Sequence, residues 1–145
     1  MTSADESNAP ADELTASRSH TYQVRAGYGD TDQGGVVHHA VYLRWLEQAR
    51  VEWLRARGLD FGELERRHRV TLVVANAELS YKRPARFDDI LAIETTLVRK
   101  LGATLIFQYT IHCRGELLAS AKTRLACVQL DTMRPVRLPF ADALG

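Results

Sequence analysis

Two aspartates, a pair of adjacent glycines and two histidines lie close together in residues 28–42, where a polar loop leads into a helical pattern. These residues are Asp30, Asp32, Gly34, Gly35, His38 and His39. The start of a helix presents unpaired backbone N–H groups and the positive end of the helix dipole, and both stabilise negative charge. A carboxylate on the approaching loop therefore lies beside a place suited to a developing anion.

Asp32 is the residue of this segment best suited to chemistry. An ionised carboxylate can attack a carbonyl group or take a proton from water, and the helix start can hold the oxyanion that forms. This is the arrangement that an acyl-transfer enzyme needs. The alternative for Asp32 is a loop or capping carboxylate. For Asp30, the sequence favours a structural role, in which its side chain closes the loop through hydrogen bonds to the backbone.

The composition indicates one domain preceded by a tail. The chain has 145 residues, enough for a sizeable core. Residues 1–20 are polar and hold almost no large apolar side chain, so they predict a flexible tail, and residues 21–145 predict a single domain. The net charge is +1, and the tail carries four acidic residues and one arginine, which leaves +4 on residues 21–145. This excess is too small to indicate binding of nucleic acid.

The sequence lacks signals for a membrane, a metal site or a disulfide framework. The N-terminus has no basic segment followed by an apolar one, and no apolar run is long enough to cross a bilayer. We therefore expect a cytoplasmic protein without a transmembrane segment. Cys113 and Cys127 lack the spacing of metal ligands, and we expect both to be buried free thiols.

Hydrophobic periodicity predicts the elements that position the loop. Apolar residues recur at three- and four-residue steps over residues 40–57, which predicts one long helix that ends at Gly58. Residues 60–68 favour a short second helical segment, and the residues after Pro135 are expected to form a loose terminus. Alternating apolar and polar residues predict five strands, over residues 21–28, 70–81, 90–98, 103–114 and 117–129.

These elements predict an α+β domain with an antiparallel sheet. Residues 70–81 are expected to bury one face of their strand. Large apolar side chains on more than one side of the helix, among them Tyr42, Trp45 and Trp53, indicate that the sheet curls around it. The long strands leave long edges, which a second copy of the chain can pair into one continuous sheet.

The loop, the helix and a later segment together resemble a known enzyme family. The pattern Tyr28-x-Asp-Thr-Asp32-x-Gly-Gly-Val-Val-x-His39-x-x-Tyr42 is followed by Leu-Arg-Trp-Leu-Glu-Gln-Ala-Arg50 and later by Tyr81-x-x-Pro-Ala-Arg-Phe-Asp-Asp89. The chain resembles the hotdog-fold acyl-CoA thioesterases of the 4-hydroxybenzoyl-CoA thioesterase family over nearly all of residues 21–140. It is most similar to the branch associated with the Tol–Pal system.

This resemblance implies a fold, an assembly and an activity. The implied fold is a five-stranded antiparallel sheet wrapped around one long central helix. The implied assembly is a homodimer with a shared sheet, often paired into a homotetramer, with its sites at the subunit interface. The implied activity is hydrolysis of an acyl-CoA to a free carboxylic acid and coenzyme A, without a cofactor or a metal.

The resemblance also assigns roles to individual residues. Asp32 matches the catalytic carboxylate, as nucleophile or general base, while Tyr28 and His39 match residues around the active site. The His39 N–H falls where the thioester carbonyl is held, and the His39 side chain is either an acid or base or only a positioning group. His38 departs from the family, since an aromatic residue such as Tyr or Trp is expected there. The candidate substrate-binding residues are Val37, His38, Tyr42, Lys82, Arg83, Arg99 and Lys100, the last four as a basic cluster at strand ends for the nucleotide phosphates.

Two other functions stay open at this level. A hotdog dehydratase or hydratase that acts on acyl thioesters pairs a loop histidine with a helix carboxylate, for which Glu47 is the candidate. Asp32 is the better candidate for the catalytic carboxylate. Because it precedes the helix, it favours the thioesterase. A non-catalytic acyl-CoA-binding module is the second alternative, and the complete Asp32 loop argues against it.

Overall fold

A five-stranded antiparallel sheet and two α-helices make up the fold. The computed structural model describes residues 18–145. The strands are β1 (Ser19–Arg25), β2 (Val70–Tyr81), β3 (Ile90–Leu101), β4 (Thr104–Cys113) and β5 (Glu116–Gln129), and the helices are α1 (His39–Ala56) and α2 (Phe61–His68). The strand order is β1-β3-β4-β5-β2, so β1 and β2 form the two edges. The predicted α+β class and antiparallel sheet are confirmed.

Strands β2 to β5 follow the alternating pattern of the sequence. β2 has the predicted bounds, and the other three differ from theirs by one to three residues. In β4, the side chains of Leu105, Phe107, Tyr109 and Ile111 are buried on one face, as alternation predicts. Gly102, in the turn that follows β3, has a φ of 60°, which glycine adopts without strain.

The first strand ends earlier than predicted, because the chain turns before Tyr28. A 3-10 turn spans Tyr28–Asp30, and Oδ2 of Asp30 closes it by accepting a hydrogen bond from the Gly27 N–H at 2.9 Å. β1 begins at Ser19, so the last two residues of the predicted tail belong to the sheet. Residues 1–17 of that predicted tail lie outside the described residues.

Helix α1 buries a stripe of large side chains against the sheet. These are Tyr42, Trp45, Leu46, Ala49, Trp53 and Leu54. The Trp53 ring meets the Phe107 ring edge-on, with centroids 5.1 Å apart, and its Nε1–H donates to the Arg18 carbonyl oxygen at 2.7 Å. Because these contacts hold the helix on the sheet, they also fix where its first turn lies.

The second helix lies where the sequence favoured a short helical segment beside the one long helix. Oδ1 of Asp60 accepts a hydrogen bond from the Glu63 N–H at 3.1 Å and caps α2, and Leu64 is buried. α2 contacts both β2 and α1. The short helical segment that the sequence favoured is therefore a regular helix of 8 residues.

The predicted buried face of β2 is wrong for the single chain. Residues 74–78 are exposed, and Val74 retains 49% of its accessible surface. β2 lies at the edge of the sheet, and its pairing with β5 shifts register between Val74 and Asn76, which marks a bulge. One side of this strand is consequently open to another strand.

The C-terminal segment is packed, so the expectation of a loose terminus is wrong. Leu138, Phe140 and Leu144 are buried, Leu144 completely. Arg57 Nη1 donates to the Leu144 carbonyl oxygen at 3.1 Å. Leu144 lies in a short 3-10 turn, and Leu138 and Phe140 precede that turn, so these buried side chains follow no regular period that the sequence could reveal.

The cysteines behave as predicted. Cys113 and Cys127 are buried free thiols, and burial raises the pKa of each above its ordinary value of 9.0. Among residues 18–145, neither helix combines the length and the apolar character that a bilayer span requires.

The packing of the terminus predicts the effect of Leu144→Ala. Removing this fully buried side chain should lower the free energy of unfolding by about 2–5 kcal/mol, because a core site loses contacts and gains a cavity. Asp142→Ala, at an exposed position of the same turn, is the matched control and should change it by less than about 0.5 kcal/mol. Urea denaturation of both variants measures the difference, and equal midpoints would mean that the terminus is not part of the core.

Candidate active site

The Asp32 loop is a tight hairpin that leads directly to α1. The Asp32 N–H donates to the Val36 carbonyl oxygen at 2.9 Å, and the Gly35 N–H donates to the Asp32 carbonyl oxygen at 3.0 Å. Thr31 and Val37 form an antiparallel bridge beside them. Gly35 has a φ of 78°, a conformation that favours glycine.

The Asp32 carboxylate is exposed and held through one oxygen. Oδ1 accepts a hydrogen bond from the Gly34 N–H at 2.8 Å. A Cβ atom at position 34 would lie 3.2 Å from Oδ1, so glycine leaves room for the carboxylate. Within residues 18–145, Oδ2 accepts no hydrogen bond and Asp32 forms no ion pair. One oxygen is thus oriented by the backbone, and the other is available to a reacting group.

Asp30 ties the loop to the helix. Its Oδ2 accepts from the Gly27 N–H, and its Oδ1 pairs with Arg44 Nη2 of α1 at 2.6 Å. Its carbonyl oxygen accepts from the His38 N–H at 2.8 Å. With both carboxylate oxygens engaged, Asp30 has the structural contacts that the sequence favoured.

The first turn of α1 leaves one backbone donor unused. His38 caps the helix, because its Nδ1 accepts from the Ala40 N–H at 3.3 Å and its carbonyl oxygen from the Val41 N–H at 2.9 Å. In the described part of the chain, the His39 N–H has no hydrogen-bond partner. The His39 ring is exposed and stacks on His38, with centroids 4.7 Å apart. The unused N–H at the positive end of the helix is available to an oxyanion.

A cavity of ≈ 280 Å³ opens beside this turn. Its lining residues are Val37, His39, Tyr42, Tyr81, Lys82, Arg83 and Pro84. The buried Tyr42 hydroxyl accepts a hydrogen bond from the Ala85 N–H at 3.1 Å, and burial raises the pKa of Tyr42 above its ordinary value of 10.0. Its phenol therefore stays protonated at neutral pH. Asp32 does not line this cavity in the single chain.

The predicted basic cluster is divided between two ends of the sheet. Lys82 and Arg83 follow β2 and line the cavity beside α1. The end of β2 is level with the start of β3, through the pairs Tyr81–Ala119, Ala119–Ile111 and Ile111–Ile93. Arg99 and Lys100 lie near the other end of β3. At about 3.3 Å per residue, Ile90 and Arg99 are about 30 Å apart along β3. One chain therefore does not bring all four side chains together, since their sequence positions do not reveal which strand ends meet.

Tyr28 lies on the surface before the loop. Its side chain is 79% exposed, and its ring meets the Phe87 ring edge-on with centroids 5.6 Å apart. Its carbonyl oxygen accepts a hydrogen bond from Thr31 Oγ1 at 2.7 Å, so its backbone supports the turn that precedes Asp32.

In residues 18–145, His, Cys, Asp and Glu side chains form no group of three or more that could hold a metal ion.

Comparison with known families agrees with this combination of loop, helix and sheet. Residues 26–144 match the thioesterase-like superfamily. The chain belongs to this superfamily.

This chain is similar to individual members of the superfamily over most of its length. Acyl-CoA thioesterase YbgC from Haemophilus influenzae is 37% identical over 119 residues, which cover 82% of this chain and 88% of that protein. The crystal structure of a probable thioesterase from Bartonella henselae has a TM-score of 0.80 at 34% identity and covers 83% of this chain and 99% of its own. The crystal structure of a DHNA-CoA thioesterase from Staphylococcus aureus has a TM-score of 0.82 at 26% identity, and the match covers 86% of this chain and 85% of that chain. The fold is the hotdog fold, and the enzyme class is thioester hydrolase.

A second cavity of the thioesterase-like domain was not predicted from the sequence. It has a volume of ≈ 400 Å³ and lies between α1, α2 and β2. Glu47 and Arg50 are its charged residues, and Arg50 Nη1 donates to the Tyr109 hydroxyl at 3.3 Å. Arg50 belongs to the helix segment that carries the family resemblance, but the sequence assigned it no role, because its partner is distant along the chain and arginines are common on exposed helix faces.

The two loop aspartates should differ in their effect on stability. Asp30→Asn removes the charge that pairs with Arg44 and one of two engaged acceptor oxygens, so it should lower the free energy of unfolding by about 1–3 kcal/mol. Asp32→Asn keeps an oxygen that can accept from the Gly34 N–H, so its change should stay below about 0.5 kcal/mol. Chemical denaturation of the two variants measures both values. Equal losses would show that the carboxylates have equivalent structural roles.

Proposed function

We propose that this protein is an acyl-CoA thioesterase that releases a carboxylic acid and free coenzyme A. The observation that carries the proposal is the exposed Asp32 carboxylate, oriented through one oxygen, on a hairpin that leads to the unused His39 N–H of α1. The similarity to Acyl-CoA thioesterase YbgC supports acyl-CoA as the substrate. It is also consistent with membership of the Tol–Pal branch, which we propose for this chain. We also propose that the sheet wraps around α1, which is then the central helix of the fold.

Two routes use the same groups. In the first, an Asp32 oxygen attacks the thioester carbonyl carbon, the C–S bond breaks, and the thiolate leaves and takes a proton; water then hydrolyses the resulting anhydride. In the second, Asp32 removes a proton from water as that water attacks the carbonyl, and the C–S bond breaks in the same way. In both, the His39 N–H and the helix dipole stabilise the oxyanion. Neither route requires a cofactor or a metal.

The surrounding residues have proposed roles in binding. Lys82 and Arg83 border the cavity beside α1 and can contact the phosphates of coenzyme A, and the ion pair of Arg83 with Glu116 is exposed at 2.7 Å and can rearrange. Val37, His38 and Tyr42 are proposed to lie near the acyl group, and Tyr28 and His39 around the reacting carbonyl. Arg99 and Lys100 lie too far from the His39 cavity of their own chain to contact a substrate bound there. They can contact the substrate only if they belong to another subunit.

A dehydratase is less compatible with the arrangement. That chemistry pairs a histidine with a helix carboxylate, whereas His39 and Glu47 line different cavities of one chain. A pure binding module would not need a loop carboxylate with an unengaged oxygen on a hairpin that leads to a backbone N–H without a partner among residues 18–145.

A cytoplasmic location stays a prediction from the sequence.

We further propose that the active assembly is a homodimer joined through β2, with the homotetramer as a higher assembly. β2 is the longer of the two edge strands, and Val74 and Tyr81 expose apolar surface along it. An unpaired edge of this length offers a row of N–H and C=O groups to a second copy. Two-fold pairing of β2 with itself would produce one continuous antiparallel sheet.

Asp32→Asn should reduce turnover at least about a hundredfold, because an amide neither attacks a thioester effectively nor takes a proton from water. The assay follows thiol release from short, long and aromatic acyl-CoAs by the wild type and the variant. The best substrate of the panel should still bind Asp32→Asn, as calorimetry can measure. A wild type that releases no thiol from any acyl-CoA would reject the thioesterase proposal, and a fully active Asp32→Asn would reject the assignment of Asp32.

Ala77→Lys should weaken the dimer, because two-fold pairing of β2 places like charges near each other at the interface. Gln23→Lys, an exposed position on the other edge strand, is the matched control and should leave the assembly unchanged. Sedimentation velocity over a range of concentrations should give at least twice the 16.3 kDa of one chain for the wild type and a larger monomer fraction for Ala77→Lys. An active wild-type monomer at assay concentration would contradict the proposed assembly.

A further inference from the structure

The cavity between α1, α2 and β2 is apolar except for a few side chains. Its apolar lining residues include Val51 and Leu54 of α1, Phe61 of α2 and Leu72, Val73 and Val74 of β2. Its volume of ≈ 400 Å³ lies within the ~300–1,000 Å³ range of small-molecule sites. Glu47 is exposed at one side, and Arg50 is half-buried among the apolar side chains. A cavity of this composition suits a ligand with an apolar body and a polar end.

Arg50 is held in place by a hydrogen bond and forms no ion pair within residues 18–145. Its Nη1 donates to the Tyr109 hydroxyl at 3.3 Å, and that hydroxyl lies 2.6 Å from Thr123 Oγ1. Tyr109 and Thr123 are each only 1% exposed, so they form a fixed support for the guanidinium. Among the described residues, no carboxylate forms an ion pair with Arg50. Since guanidinium carries five N–H donors, most of its hydrogen-bonding capacity remains for a ligand.

Two-fold pairing of β2 places this cavity next to the candidate active site of the other subunit. In an antiparallel self-pairing, the C-terminal end of one β2 lies beside the N-terminal half of the other. Tyr81, at the C-terminal end, lines the cavity that contains His39. Residues 71–74, in the N-terminal half, line the cavity that contains Arg50. The two cavities, which are separate within one chain, therefore adjoin across the interface.

We propose that the acyl group of the substrate extends from the His39 cavity of one subunit into the Arg50 cavity of the partner subunit, where Arg50 binds an oxygen at the far end of the acyl chain. This inference rests on the proposed thioesterase function and deepens it. The substrate class is an acyl-CoA with an apolar acyl body and a terminal hydrogen-bond acceptor, either a hydroxyl or a carboxylate. An unsubstituted acyl chain of equal length would leave the guanidinium without that partner and would be a poorer substrate.

Three substrates with six-carbon acyl groups test the specificity. Hexanoyl-CoA has an apolar end, 6-hydroxyhexanoyl-CoA a hydroxyl, and the mono-CoA thioester of hexanedioic acid a carboxylate. The wild type should show at least about a tenfold higher kcat/KM for one of the oxygen-bearing substrates than for hexanoyl-CoA, as expected for a hydrogen bond to a charged group. Whichever of the two is preferred identifies the terminal group.

Substitution of Arg50 should remove this preference. Arg50→Met keeps the approximate length of the side chain without its charge, and the ratio of kcat/KM values between the oxygen-bearing substrate and hexanoyl-CoA should fall at least about tenfold. Arg50→Lys should restore part of the ratio. Arg55→Met, at an exposed position of α1 that pairs with Glu52, is the matched control and should leave the ratio unchanged. A ratio is used because loss of folded protein lowers both rates equally.

Mixed dimers test whether the site crosses the interface. If Asp32 and the partner's Arg50 serve one site, a heterodimer of Asp32→Asn and Arg50→Met chains contains one site with both native residues. Random pairing then restores about a quarter of the wild-type sites for the oxygen-bearing substrate. If both residues serve a site within one chain, mixing restores none.

The outcomes separate this inference from the proposed function. Hydrolysis of all three substrates with no preference, or with a preference that Arg50→Met retains, would overturn the inference and leave the thioesterase intact. Failure of mixed dimers to regain activity would overturn the cross-subunit placement. Absence of thiol release from every acyl-CoA would instead reject the thioesterase itself.

Discussion

The Asp30 carboxylate accepts hydrogen bonds from both structural parts of the candidate site. One oxygen binds the Gly27 N–H before the loop, and the other pairs with Arg44 of α1 at 2.6 Å. The Asp30 carbonyl oxygen also binds the N–H of His38, the residue that caps the helix. The distance between the Asp32 hairpin and the unused His39 N–H depends on this residue. Asp30 therefore positions the hairpin that carries Asp32 relative to the start of α1.

Local sequence patterns predicted those parts of the fold that depend on neighbouring residues. Alternation in β4 and the three- and four-residue steps in α1 follow from the geometry of the elements themselves, so their positions could be predicted closely. The structural contacts of Asp30 were also predictable, because aspartate before a turn commonly binds nearby backbone N–H groups. The observed bounds of α1 and of β2 to β5 therefore lie within three residues of the predicted ones.

Features that depend on which elements meet could not be predicted in this way. The alternation of β2 predicted a buried face, but β2 is an edge strand, and no strand within residues 18–145 pairs with its outer side, so residues 74–78 are exposed. Arg99 and Lys100 were grouped with Lys82 and Arg83 by residue type, and the strand order separates them. The contact of Arg50 with Tyr109 joins residues 59 positions apart, and no local pattern encodes it.

The order of the strands has a consequence for how the domain folds. β3, β4 and β5 are consecutive in sequence and adjacent in the sheet, so short turns suffice to assemble the centre of the sheet. β1 and β2 come first along the chain but join its outer edges, and Val70 must pair with Gln129 while Ser19 pairs with Thr96. Closing these long loops costs more entropy than forming a hairpin. We therefore expect the Asp32 hairpin and α1, which lie between β1 and β2 in sequence, to reach their final places late, after the central strands have formed the surface that receives them.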